Sequence, residues 1–352
     1  MNYTTFDITR IIRPHLLTLK PYSTARDEFQ GVADIFLDAN ENPYPSAYHR
    51  YPDPHQRKLK EKISRLKNVS PENIFIGNGS DEVIDLIIRL TCEPQQHSLL
   101  ITNPTYGMYE VSAQINGIKT IRVPLTDTFE VDPEKVLSYV NPSVKVIFLC
   151  SPNNPSGNLL NKEAVRKVID SFTGLVVVDE AYIDFSGDGG FLPELNKWPN
   201  LVVMQTLSKA YALAGLRIGL AMGNADVIAW LNKIKPPYNV SSAAQEYAMK
   251  QLDDQSTFRK QVEEIIAERN SMVTKLSGIK TVLYVYPSDA NFLLVRFTNA
   301  RAVYRHLLSN GIIVRDRSTV LHGDNCLRIT IGTPAENKKL IETLNKFEPT
   351  GS

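Results

Sequence analysis

Six short apolar runs, at 98–102, 119–123, 144–149, 175–178, 201–205 and 218–222, are interleaved with helical periodicity at 55–67, 81–92, 106–116, 132–140 and 161–171. The runs are too short for buried helices and too uniformly apolar for strands with one wet face. Strands that alternate with helices build a mostly parallel sheet covered on both sides. The expected fold is therefore α/β, and its ligands belong beyond the carboxyl ends of the strands. Small and polar motifs fall directly after the runs, where that rule puts a site.

The rest of the chain suggests a second unit. The stretch 255–277 has the pattern of a long amphipathic helix. After it come β-like runs at 281–286, 291–296, 312–315 and 326–331, with helices at about 299–309 and 335–347. This reads as a smaller α+β domain, and the cleft between two domains is the usual place for a small-molecule site. The segment 1–35 reads as an arm packed on the small domain or on a partner subunit, and 40–54, with four prolines, as an ordered loop. The expected division is an arm at 1–35, a large domain at 36–250 and a small domain at 251–352.

Charge and cysteine content exclude some classes. With 39 Lys and Arg against 38 Asp and Glu, the net charge of +1 provides no field for nucleic acid or an anionic membrane. Three widely spaced cysteines without a Cys-x-x-Cys give no disulfide framework and no metal site. No apolar run is long enough to cross a bilayer, and the first residues lack the apolar core of a signal peptide. A cytoplasmic, soluble protein is the expectation.

Five motifs carry chemistry. In the stretch 206–219, Lys209 lies among small and apolar neighbours after a β-like run. Desolvation there lowers a lysine pKa and frees a neutral, nucleophilic amine. Thr206, Ser208 and Arg217 offer donors for a phosphate nearby. Asp179 follows three valines and is placed to pair with a buried cationic ring nitrogen, with Tyr182 donating to an oxygen on the same ring. Asn154 lies in the Pro- and Gly-containing stretch 151–157 and offers an amide to a ring oxygen. Ser80 and Asp81 open a helix after Gly77-Asn78-Gly79, where free backbone N–H groups bind phosphate. Tyr106 follows a strand and is placed to stack on a flat ring. Taken singly, each has a plainer reading: a surface lysine, a helix cap, a turn, a packed aromatic. Their joint order at successive strand ends does not.

That order resembles the fold-type I, pyridoxal-phosphate-dependent aminotransferases over nearly the whole chain. The stretches 38–44, 50–52, 153–157, 178–182, 313–316 and 327–330 are similar to the histidinol-phosphate aminotransferase family. Threonine-phosphate decarboxylases and aromatic amino acid aminotransferases are relatives with similar motifs. The resemblance implies pyridoxal 5′-phosphate as cofactor and transamination of imidazole-acetol phosphate with L-glutamate, giving L-histidinol phosphate and 2-oxoglutarate. It implies that Lys209 bonds the cofactor and moves the substrate proton, and that Asp179 keeps the ring nitrogen protonated. Tyr182 and Asn154 would hold the ring oxygen, and Tyr106 would cover its face. Ser80, Asp81, Thr206, Ser208 and Arg217 would surround the phosphate. Tyr51 would reach the phosphate of a neighbouring subunit's cofactor, which requires a homodimer. Arg328 and Arg315 would bind the substrate anions, with Tyr22 and Asn42 closing over them.

Overall fold

The computed structural model describes residues 6–348 except 24, 30 and 32. The arm expectation at 1–5, 24, 30 and 32, and the small-domain expectation at 349–352, lie outside the described residues. The arm carries two short helices, α1 (Pro14–Leu17) and α2 (Ala25–Glu28). The large sheet consists of β1 (Ile74–Asn78), β2 (Ser98–Asn103), β3 (Lys119–Pro124), β4 (Val144–Cys150), β5 (Leu175–Asp179), β6 (Leu201–Thr206) and β7 (Ile218–Gly223). Their order is β1-β7-β6-β5-β4-β2-β3. Only β7 runs against its neighbours.

Side chains of a strand alternate between faces, so a strand buried on both sides must be apolar throughout. The two faces of this sheet feed two separate cores. Val176, Val178 and Val203 pack with α3 (Arg57–Lys67), α6 (Pro133–Ser138), α7 (Lys162–Ser171) and α9 (Ser242–Asp253). Val177, Val202 and Met204 pack with α4 (Ser80–Thr91), α5 (Met108–Ile115) and α8 (Ala225–Ile234). Helices α8 and α9 are additional to the sequence expectation, and α5 begins two residues later than expected, which leaves Tyr106 in the preceding loop.

Ile8, Ile11 and Ile12 of the arm join the same core as Ile84, Ile87 and Leu90 of α4. The front part of the arm therefore packs on the large domain of its own chain. Three isoleucines at helical spacing form an apolar stripe, and the large domain offers the matching one. Farther along, Glu41 accepts from Arg26 at 2.5 Å, from Arg50 at 2.6 Å and from the backbone N–H of Tyr51 at 2.6 Å. One buried carboxylate therefore ties the loop at 40–54 to the arm.

The smaller unit consists of α10 (Gln255–Ser277), β8 (Val282–Val285), β9 (Phe292–Phe297), α11 (Ala300–Ser309), β10 (Arg315–Asp316), β11 (Cys326–Thr330) and α12 (Pro334–Asn345). Its sheet is antiparallel, in the order β10-β11-β9-β8. Packing passes from one unit to the other at Asp254: Leu252 of α9 belongs to the large core, and Met272 and Leu276 of α10 to the small one. The expected strand at 312–315 pairs only at Arg315–Asp316, because Ile312 and Val314 turn into the small core instead. Leu293, Val295 and Leu327 face that core, whereas Leu294 and Cys326 face the large domain. The sheet thus presents its second face to the cleft.

Reversal of β7 has a local consequence. Its amino end lies at the same edge as the carboxyl ends of β1 and β6, with Gly219 opposite both Gly77 and Thr206. A Cβ on Gly219 would sit 2.2 Å from the backbone nitrogen of Ser80. Glycine there lets the start of α4 reach the sheet edge. Gly219→Ala is expected to destabilise the protein by about 1–3 kcal/mol, the usual cost of overpacking. Urea unfolding measures this, and an unchanged midpoint would contradict the close approach.

Candidate active site

A cavity opens at the carboxyl edge of the large sheet. Its wall is made by Ser80, Asp81, Tyr106, Cys150, Asp179, Tyr182, Thr206, Ser208, Lys209 and Arg217 together with Ala181. Each comes from the end of a strand or the loop after it, and Arg217 comes from the start of the reversed strand. The parallel sheet converts residues up to 137 positions apart into neighbours.

Asp179 is the last residue of β5 and is 3% exposed. Strand alternation sends its side chain to the face that carries Val177, hence toward α5. There Tyr109 donates its hydroxyl to Oδ2 at 2.5 Å, and the backbone N–H of Ala181 donates to Oδ1 at 3.0 Å. Tyr109 is itself held by a stacked contact with Phe148, their ring centroids 4.8 Å apart. Burial raises the Asp179 carboxyl pKa to about 6 despite these donors. No Lys, Arg or His among the described residues forms an ion pair with it. The next residue, Glu180, points to the opposite face, where it accepts from Gln205 Nε2 at 2.9 Å and from the Phe191 N–H at 2.5 Å. Two adjacent acids thus have different roles, separated by the alternation of one strand.

Lys209 is exposed to the open cavity, with its Nζ 5.7 Å from the centre of the Tyr182 ring. Desolvation lowers its pKa, and the positive charge of Arg328 pushes in the same direction. Both effects favour the neutral amine. Tyr182 is 7% exposed, and its oxygen receives the Asn154 amide at 3.3 Å. Asn153, fully buried, serves instead to tie its own loop, donating to Pro104 O at 3.2 Å and to Ser156 Oγ at 2.8 Å.

Opposite Asp179 the cavity is rich in donors. Ser80 begins α4, so its N–H and those after it lack partners within the helix. Thr206 Oγ1 accepts from the Ser208 N–H at 3.1 Å. Arg217 reaches Ser208 Oγ at 3.4 Å and Asp81 Oδ2 at 3.3 Å. Asp81 also receives the Tyr106 hydroxyl at 3.1 Å. Its carboxylate therefore orients two groups of the cavity. Arg217 adopts a left-handed backbone with φ 54°, and a Cβ on Gly79 would meet its guanidinium at 2.5 Å. Strain of this kind is concentrated at functional sites.

Arg328 of β11 crosses the cleft and donates to Asn154 Oδ1 at 2.6 Å. It lies opposite Arg315 in the strand pair. Among the described residues neither makes an ion pair. Tyr22, Asn42 and Tyr51 are not brought to the cavity. Tyr22 is 73% exposed, Asn42 caps the Tyr44 N–H at 3.0 Å, and Tyr51 stacks on Tyr238 at 4.4 Å. Three further residues were not singled out by the sequence: Tyr109, which holds Asp179, Glu41, which ties the loop at 40–54 to the arm, and Arg317, whose charge acts with those of Arg328 and Arg315. Tyr109 lies three residues after Tyr106, and Arg317 two residues after Arg315, which were the available signals.

Known proteins are similar to this chain in sequence and in fold. The profile described as aminotransferase class I and II matches residues 30–344. The chain is 51% identical to the histidinol-phosphate aminotransferase of Parabacteroides distasonis, over 97% of this chain and 99% of that one. It is 49% identical to the histidinol-phosphate aminotransferase of Cytophaga hutchinsonii, with the same two coverages. Among solved structures, the Sinorhizobium meliloti histidinol-phosphate aminotransferase in complex with pyridoxal-5′-phosphate superposes with a TM-score of 0.77 at 28% identity. That match covers 84% of this chain and 82% of the other.

The buried carboxyl makes a pH prediction. Asp179 titrates near 6 in the folded protein and near 3.8 when unfolded. Between these values the folded state holds more proton, so this group makes stability fall as pH rises. Asp179→Asn removes that dependence. The stability of ligand-free Asp179→Asn minus that of the wild type should grow by on the order of 2–3 kcal/mol from pH 4 to pH 6.5. Urea unfolding across that range measures it, and a difference constant with pH would contradict the burial argument.

Proposed function

The chain belongs to the aminotransferase class I and II family, and we propose that it acts as a histidinol-phosphate aminotransferase dependent on pyridoxal 5′-phosphate. It transfers an amino group from L-glutamate to imidazole-acetol phosphate, giving 2-oxoglutarate and L-histidinol phosphate, a step of L-histidine biosynthesis. The observation that carries this reading is one cavity in which Lys209, its pKa lowered, faces the same space as the buried Asp179, which makes no ion pair among the described residues, with Arg328 reaching Asn154 from the small sheet.

The residues fit the cofactor. Asp179 is a buried anion lacking a positive partner among the described residues, and a protonated ring nitrogen supplies one. The donors at Ser80, Ser208 and Arg217 match a phosphate placed at the other end of the ring, and Thr206, whose hydroxyl donates to Ile218 O at 3.1 Å, lines the same place. Tyr106, half-buried between them, covers a ring face, and Tyr182 with Asn154 holds the ring oxygen. Pyridoxal phosphate supplies an aldehyde that exchanges amine partners and a ring that accepts the electron pair left when the Cα–H bond breaks.

The chain's own residues do the rest. Desolvation and the charge of Arg328 lower the Lys209 pKa, which favours the neutral amine that would bond the aldehyde and later carry the proton from Cα. The negative charge of Asp179 makes loss of the ring-nitrogen proton unfavourable, and Tyr109 fixes that carboxylate in place. Arg328 and Arg315 fork onto substrate anions, the α-carboxylate of glutamate or the phosphate of histidinol phosphate. Each substrate leaves before the other enters, since both use one anion pocket. On this reading Tyr51 reaches the phosphate of a second copy's cofactor, so the proposed working unit is a homodimer, and the proposed compartment is the cytoplasm. Tyr22 and Asn42 close over the substrate from the arm and its loop.

Initial rates with L-histidinol phosphate and 2-oxoglutarate should give parallel double-reciprocal lines, the pattern of alternating half-reactions. Lys209→Ala should abolish turnover while leaving the unfolding midpoint close to that of the wild type. Full turnover by Lys209→Ala would overturn the role of this lysine. Release of carbon dioxide from phosphothreonine without amino exchange would overturn the reaction assigned.

A further inference from the structure

Resting on the transaminase reading, we infer that Arg317 is a third anion-binding residue of the substrate pocket and selects the phosphate ester over the dicarboxylate. The register of the small sheet carries the argument. Arg315 lies directly opposite Arg328, and the Arg317 N–H donates to Cys326 O at 2.9 Å. Residues facing one another across an antiparallel pair share a face. Cys326 packs with the large domain, and Arg328 reaches its Asn154. Alternation therefore sends Arg315 and Arg317 to the cleft and turns Asp316 away, where it accepts the Ser318 N–H at 2.8 Å.

Arg317 is half-buried, and its Nε is shut off from solvent without a hydrogen-bond partner. Burial, reinforced by the charges of Arg328 and Arg315, presses its pKa down to about 10. A desolvated donor left unpaired is costly, and so is a like-charged neighbour. Several other sheltered arginines hold partners, and Arg296, whose Nε is likewise unpaired, still donates through Nη2 to His322 O at 3.2 Å. Arg13 pairs with Glu93 at 3.1 Å, Arg166 with Glu194 at 2.5 Å, and Arg269 donates to Phe185 O at 3.1 Å and Ala290 O at 2.8 Å. At the cleft three guanidiniums converge, and none of them pairs with a carboxylate among the described residues.

The missing partner is an anion brought by the substrate. A carboxylate is flat and is saturated by one guanidinium fork, whereas a phosphate monoester carries nearly two charges and directs three oxygens to different sides. Arg328 and Arg315 suffice for the carboxylate. The third guanidinium suits the tetrahedral dianion, so its loss should discriminate between the two substrates.

The test uses the cofactor-loaded enzyme and the variants Arg317→Gln and Arg317→Lys. For Arg317→Gln the KM for L-histidinol phosphate should rise about tenfold or more, the effect of one lost charge-assisted hydrogen bond. The KM for L-glutamate should rise by a clearly smaller factor, and competitive inhibition by inorganic phosphate should weaken in parallel. Arg317→Lys keeps the charge without the fork and should fall between. If Arg317→Gln fails to fold, Arg317→Lys carries the same comparison. An unchanged KM for histidinol phosphate, or equal rises for both substrates, overturns the inference. Wild-type enzyme that exchanges no amino group with histidinol phosphate overturns the function instead. Phosphate inhibition of its glutamate half-reaction, relieved in Arg317→Gln, would then still support the anion site.

Discussion

A single buried negative charge organises this protein. Asp179 ends a strand whose other residues are sealed on both faces, and its carboxylate, 3% exposed, makes no ion pair among the described residues. A protein tolerates such a group only with strong compensation, which here comes from Tyr109, from one backbone N–H and from a cationic ligand. The charge also sets the chemistry. A ring bound with its nitrogen against Asp179 has its aldehyde and phosphate directed to the rest of the cavity, where Lys209 and the donors around Ser80 and Arg217 are found. The sheet makes this possible because each strand end can be exposed while its middle stays dry.

The second element is the division of labour between domains. The large domain supplies everything that faces the cofactor, and the small sheet supplies the arginines. One face of that sheet is its own core, and the other is a cleft lining that alternates Leu294 and Cys326 with Arg315, Arg317 and Arg328. Substrate charge is therefore read by a unit that is joined to the catalytic lysine by packing and by a few polar links. One of these runs from Arg328 to Asn154, and Asn154 also touches Tyr182. A substrate anion that draws on Arg328 thus acts on a residue already bonded to the group that holds the ring oxygen.

Much of this was legible in the sequence. The apolar runs fixed the strands within a residue or two because doubly buried strands leave no polar position. The chemical motifs then had to fall at their carboxyl ends. Asn154 rather than Asn153 was chosen as the site residue, and the structure gives the reason: Asn153 is spent on tying its loop. What stayed hidden required three dimensions. Tyr109 reads as a packed helix aromatic until the parity of β5 brings Asp179 beneath it. Glu41 reads as a loop acid until Arg26 and Arg50 are folded onto it. Arg317 was missed because a two-residue strand gives no periodicity. The isoleucines of the arm show that it packs, but not on what.

The central claim is that Asp179 holds the cofactor's ring nitrogen as a cation, and nitrogen NMR of enzyme loaded with ring-labelled pyridoxal phosphate tests it most directly. The account predicts a protonated ring nitrogen in the wild type at pH 8 and a deprotonated one in Asp179→Asn, with Lys209 still bonded to the cofactor in both. A wild-type nitrogen that is unprotonated at that pH, or one that stays protonated after Asp179→Asn, would contradict it.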